Sequence, residues 1–257
     1  MPGLVITVCT ILGLAVGSFL NVVVWRVPRK ESVVRPRSRC PECEEPIRPA
    51  DNVPVVSWVL LRGRCRTCGA RIPVRYPLVE VGCAVLFGAL AARFWDSWAL
   101  PAYLVLAAAL LALSVIDLEH YLLPNRIVYP LSLAVPVLLA GAAVAEGDGG
   151  ALLRALLGGA VAFVAFLAIH LVSPRGMGLG DVKLSFVLGV ALAWLGWREL
   201  VLGLLLGFFY GALVGVALIA LRLRTRKEPV PFGPFLAAGA VTAVLWGEPI
   251  LTWYLDR

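Results

Sequence analysis

Apolar residues in this chain do not alternate with polar ones at the period of a half-buried strand or helix; they run in blocks of roughly twenty residues, broken by short polar stretches. A hydrocarbon core of ~30 Å is crossed by roughly 17 to 25 helical residues. The blocks at 4–25, 77–95, 99–117, 126–145, 151–172, 182–197, 200–221 and 233–254 therefore predict eight membrane-spanning helices, an all-α polytopic membrane protein. Pro130 and Pro136 fall inside the fourth block and predict a kink there, which a membrane tolerates when neighbours satisfy the freed carbonyls. Gly203, Gly207, Gly211 and Gly215 recur at every fourth position of the seventh, a face open to close helix packing.

Composition agrees with the blocks. Of 257 residues 60% are hydrophobic and 15% charged, and the mean hydropathy is +0.89, far from a soluble domain. The charge is concentrated: from Arg26 to Arg75 twelve basic residues stand against five acidic ones, a balance of +7 that equals the net charge of the whole chain. Such a loop between two spans follows the positive-inside rule, so it is read as cytoplasmic and not as a nucleic-acid surface. The N-terminus then lies outside. Under that orientation Arg222, Arg224, Arg226 and Lys227 also fall inside, while the outer loops carry only Asp96, then Glu146 and Asp148, then Arg198 and Glu199. The first block has no positive flank before it, so it reads as a retained anchor and not a cleaved signal. Three regions are expected: a first helix at 1–25, a loop domain at 26–76, and a seven-helix domain at 77–257.

The loop contains Cys40-Pro-Glu-Cys43 and Cys65-Arg-Thr-Cys68, two C-x2-C pairs with 21 residues between them. Each such turn presents two thiolates from one side, so the pairs predict a tetrahedral four-cysteine zinc site, closed to substrate and structural in role. Two disulfides are the alternative, and a reducing cytoplasm argues against them. Between the pairs Val55, Val56, Trp58, Val59 and Leu60 either form a small core or lie against the membrane surface. Cys9 and Cys83 sit inside spans as small apolar residues.

Carboxylates in or beside spanning helices cost roughly 2.5 to 3.5 kcal/mol near the helix centre and are functional candidates for that reason. Asp117 ends the third span in LALSVIDLEHYLLPN, and Asp181 opens the sixth in GMGLGDVKL. With eight helices both lie at cytoplasmic helix ends, at one level of the membrane. Asp181 also reads as a plain helix N-cap, and Asp117 as a solvated residue like Glu119 and His120. If the two meet, a helix N-terminus favours ionised Asp181, and a helix C-terminus favours protonated Asp117. One carboxylate can then take a proton from water while the other gives one to the scissile carbonyl, which is aspartyl protease chemistry. The glycines around Asp181 are not a nucleotide loop, since no βαβ unit surrounds them; they let backbone, or an extended substrate, approach the aspartate closely. Lys183 either hydrogen-bonds the pair or extends to lipid phosphates.

GSFLNVVVWRVP, CPEC with CRTC, NVPVVSWVLLRGRC, RYPLVE, DLEHYLLPN, GMGLGDVKL and PFGPFLAAGA together span most of the chain. On these motifs the sequence resembles the bacterial type IV prepilin peptidases, membrane aspartyl proteases of type IV pilus and type II secretion systems. The resemblance implies that Asp117 and Asp181 are the catalytic pair, and that Glu119 is not. It implies prepilin and pseudopilin substrates, cut after a glycine on the cytoplasmic side of the bacterial inner membrane. It further implies N-methylation of the new terminus with S-adenosylmethionine, an activity typical of members with the tetracysteine loop; no residue pattern here locates that cofactor. Related archaeal preflagellin peptidases generally lack such a loop. The expected partners are these substrates and the lipid bilayer, with no nucleic acid. A proton- or cation-coupled transporter using the two aspartates is the rival reading, although transport sites usually lie near the midplane.

Overall fold

The computed structural model describes residues 1–174, 176–223, 225 and 230–255. Among them the fold is helical, with no strand, and the chain divides into two compact units, Met1–Trp95 and Asp96–Arg257.

In the first unit α1 (Pro2–Arg26) and α3 (Arg75–Phe94) pack as a pair, joined by the polar loop and a short helix α2 (Val56–Leu60). Small residues set their spacing. A Cβ on Gly13 would lie 2.6 Å from Ala84 Cα, and one on Gly17 2.6 Å from Glu80 Cα. The seam is glycine because the backbones touch there, the close-approach packing that membranes favour.

The second unit holds α4 (Leu100–His120), α5 (Asn125–Glu146), α6 (Gly149–Val172), α7 (Leu179–Leu195), α8 (Trp197–Ala220) and α9 (Gly233–Leu255). Helix α7 is its axis, with 12 of 17 residues buried. Gly189 lets it meet α6, since a Cβ there would lie 2.6 Å from the Gly158 carbonyl oxygen. The Tyr103 hydroxyl of α4 donates to the Ala191 carbonyl at 2.8 Å. Arg154 of α6 closes the far end, donating Nε to the Ala193 carbonyl at 2.8 Å and Nη2 to Trp194 at 2.7 Å. A cation on the last carbonyls of a helix satisfies orphan acceptors and opposes the negative end of the macrodipole.

Among the described residues eight long helices thus stand where eight apolar blocks were expected. Seven are long and apolar enough to cross a membrane. The eighth is α7, whose 17 residues stand at the lower end of the spanning range. Helix α5 runs unbroken through Pro130 and Pro136. The glycine face of α8 is used at three of its four positions: Gly203 against Leu192 and Ala243, Gly207 against Leu236, and Gly211 against Phe232, whereas Gly215 meets nothing. Of the basic cluster after α8, Arg224, Arg226 and Lys227 lie outside the described residues.

Candidate active site and metal centre

Asp117 lies on α4 one turn before its end, because the helix runs on to His120 and closes with Tyr121 in the left-handed region at φ 54°. Its expected place at the helix terminus was short by that turn. The added turn keeps the side chain on the buried face with Leu113 and Ile116, and Asp117 is 5% exposed. Glu119 and His120 are turned outward, 3.9 Å apart. Asp117 Oδ2 accepts the backbone N–H of Gly233, the first residue of α9, at 3.0 Å. PFGPF therefore serves the site: a Cβ on Gly233 would lie 2.8 Å from Asp117 Oδ2.

Asp181 is not the N-cap of α7. Gly178 occupies that position, and Asp181, third in the helix, reaches back so that Oδ2 accepts the Gly178 N–H at 3.1 Å. Its side chain is turned inward, 7% exposed, within Coulombic range of Asp117. Asp181 Oδ1 is buried with no hydrogen-bond partner. The dipole asymmetry expected between the two carboxylates is absent from the fold. Each accepts one N–H at a helix N-terminus, that of α7 for Asp181 and that of α9 for Asp117, and the latter offsets the field at the end of α4.

Leu123 joins the elements. It lies in the turn between α4 and α5, 9% exposed. A Cβ on Gly180 would come 2.9 Å from Leu123 Cβ, and one on Gly233 3.1 Å from Leu123 Cδ2. The approach expected at the aspartate is made by Gly178, where a Cβ would lie 3.2 Å from Asp181 Oδ2, whereas the surface approached at Gly180 is this leucine. His170 orders the preceding turn through a 2.7 Å contact between Nδ1 and the Met177 carbonyl. Lys183 takes no part in the pair. Its Nζ donates to Asn125 Oδ1 at 3.0 Å and lies 5.1 Å from the Tyr129 ring centre, tying α7 to the start of α5.

In the first unit the four sulfurs of Cys40, Cys43, Cys65 and Cys68 all lie within 4.8 Å of one another, and Cys40 and Cys68 Sγ are 3.8 Å apart. The spacing suits a metal ion, because four thiolates at a ~2.3 Å Zn–S distance have S···S edges of about 3.8 Å. The cysteines are free, with no disulfide among them.

The two knuckles are built alike. Cys40 N–H donates to the Glu45 carbonyl and Glu44 N–H to the Cys40 carbonyl; Cys65 N–H donates to Ala70 and Gly69 N–H to Cys65. Bridges Arg39–Pro46 and Arg64–Arg71 close each loop. The fourth residue after the first cysteine is left-handed in both, Glu44 at φ 57° and Gly69 at φ 72°. The backbone amides of Cys68 and Thr67 hold the Cys65 thiol down to about 6, so it is readily a thiolate. Nearby, Arg66 grips Asp51 with Nη2 at 2.6 Å, and this hydrogen bond keeps Asp51 below the usual carboxylate range.

The apolar residues between the knuckles do not form a core: Val56, Val59 and Leu60 are exposed. Val55 and Trp58 are half-buried, and Trp58 sets its Nε1 on the Ile72 carbonyl at 3.1 Å and its ring against Gly63. The sequence reading assigned no role to Glu80 or Asn21, which the fold buries between α1 and α3. The signal was present, since Glu80 is an acid inside an apolar block.

Residues 11–94 match the family model described as the Bacterial Peptidase A24 N-terminal domain, and residues 104–216 the one described as the Type IV leader peptidase family. Curated proteins named prepilin leader peptidase/N-methyltransferase are similar over the whole chain. The one from Aeromonas hydrophila is 39% identical over 100% of this chain and 96% of its own length. The one from Pseudomonas aeruginosa is 40% identical over 98% and 94%, and the one from Pseudomonas putida 42% over 97% and 93%. No solved structure matches.

Proposed function

This chain belongs to the type IV leader peptidase family, and from that premise we propose that it is a membrane aspartyl endopeptidase whose catalytic pair is Asp117 and Asp181. The observation that carries the reading is the buried pair itself, in which Asp181 Oδ1 has no hydrogen-bond partner. Like charges in one low-dielectric pocket hold a single proton between them. Asp181 Oδ1 is the oxygen open to a water's proton, and Asp117, fixed by the Gly233 amide, gives its proton to the scissile carbonyl oxygen. The Leu123 packing fixes where both carboxylates stand, which is the orientational part of catalysis. A coupled transporter using these aspartates is not favoured, because the chain belongs to a peptidase family.

The substrates are prepilins and pseudopilins, cut at the cytoplasmic face of the bacterial inner membrane, with the N-terminus of this chain outside. The twelve basic residues between Arg26 and Arg75 support that orientation. The protease pair belongs to the helices at 77–257, and the loop at 26–76 is a zinc domain. Zinc fits the four thiolates of Cys40, Cys43, Cys65 and Cys68, where it would hold together a loop with little core. N-methylation of the new terminus follows the relatives' names; S-adenosylmethionine supplies the methyl group, and no residues are assigned to it.

The test is cleavage of a prepilin by purified protein in lipid. Asp117→Asn and Asp181→Asn should each lower kcat by at least ~10³-fold, the scale lost with a central catalytic group. Cleavage surviving either substitution rejects the pair.

A further inference from the structure

Three stretches that the aspartate chemistry leaves unused converge within the Met1–Trp95 unit: GSFLN of α1, NVPVVSW of the loop and RYPLVE of α3. They meet at Glu80, which is 7% exposed and the only buried carboxylate among the described residues of that unit. Glu80 Oε2 accepts the Val55 N–H at 2.7 Å, and the Ser18 hydroxyl donates to the same carboxylate. One turn nearer the loop, Asn21 is 3% exposed and donates Nδ2 to the Tyr76 carbonyl at 3.1 Å. That bond orients the amide, since a carbonyl accepts only from the NH₂ end. Asn21 Oδ1 is thereby directed elsewhere, and it is buried without a partner.

A buried acceptor left unmatched is destabilising. Glu80 has two donors for the roughly four lone-pair sites of a carboxylate. The unfilled places on Asn21 and Glu80 are acceptors, and one of the two groups is a carboxylate, so the complementary ligand donates several N–H bonds and carries positive charge. A primary ammonium meets both conditions. Asn21 and Glu80 each lie five residues from their helix ends at Arg26 and Arg75, about 7 Å along the axis. A ligand there stays close to one membrane face.

We propose that Asn21 Oδ1 and Glu80 form a recognition site for the α-ammonium group of the cleaved pilin. The proposal rests on the function read above, because removal of the leader creates that cation at the membrane face, and it is the group to be methylated. A second source of primary ammonium at this depth is phosphatidylethanolamine, so the experiment separates the two.

Full-length protein is placed in nanodiscs of phosphatidylcholine and phosphatidylglycerol, with and without phosphatidylethanolamine. Already processed pilin is added with its N-terminus either free or acetylated, so the result does not depend on Asp117 and Asp181. The free form should bind more than tenfold tighter in both lipids. Asn21→Leu and Glu80→Gln should reduce that preference below threefold while leaving the affinity for acetylated pilin unchanged, which a merely structural role would not do. A diazirine on the first pilin residue should crosslink the unaltered protein within 17–21 or 76–80. Equal binding of the two pilin forms, a preference abolished by phosphatidylethanolamine, or crosslinks confined to other positions would overturn the proposal. Failure of the dyad instead appears as uncleaved prepilin in the separate assay.

Discussion

Gly233→Ala tests whether the start of α9 positions the chemistry. A methyl group at this position would lie 2.8 Å from Asp117 Oδ2, and ordinary contact begins at 3.4 Å, so carboxylate and backbone must part by about 0.6 Å. The same methyl lies 3.1 Å from Leu123 Cδ2, which closes the obvious direction of relief. A misplacement of ~1 Å in a catalytic group can cost about 10²-fold, so 0.6 Å should cost on the order of tenfold in kcat, or about 1.4 kcal/mol. Substrate contacts remote from the pair are untouched, so KM should stay within twofold. Stability should hardly change, because alanine's helix propensity is better than glycine's by up to ~1 kcal/mol and offsets part of the crowding. The assay is prepilin cleavage across substrate concentrations, with a thermal melt in the same detergent. Gly215→Ala on α8 is the control, since a methyl there meets nothing within 4 Å. An unchanged kcat in Gly233→Ala, with the protein folded, would refute the view that this amide and its close approach hold Asp117 in place.

Other outcomes follow from the same structure. Cys40→Ser or Cys65→Ser should lower bound zinc from one equivalent to near zero by atomic absorption, and the absence of zinc from the unaltered protein would reject the four-thiolate reading. Glu44 holds the left-handed position that Gly69 fills in the other knuckle. Glu44→Gly should therefore stabilise that knuckle by roughly 1 kcal/mol, seen as slower zinc loss to a chelator; faster loss would contradict it. Arg154→Leu removes two charged hydrogen bonds to the end of α7. At about 1.5 to 3 kcal/mol for each such bond the melting temperature should fall by several degrees, and an unaltered melt would show that water caps these carbonyls equally well.

What the sequence determined by itself was whatever depends on neighbours along the chain. Eight apolar blocks became eight long helices because a span is recognised by twenty or so consecutive residues. The two C-x2-C turns became matching knuckles because their hydrogen bonds close within five residues. The two aspartates stood out because charge is rare in such blocks, and the family resemblance then paired them.

Tertiary structure decided what depends on distant partners. Asp117 takes an amide from Gly233, 116 positions away, which removed the expected asymmetry of the helix dipoles. Leu123 explains Gly180 only once α7 and α9 are folded beside it. Glu80 read as part of an apolar helix until Val55, 25 residues before it, supplied an amide. Hydrophobic runs announce helices, but they do not say which faces meet. That choice is made by the few places where backbones can touch, and there a single glycine, carboxylate or leucine decides which partner fits.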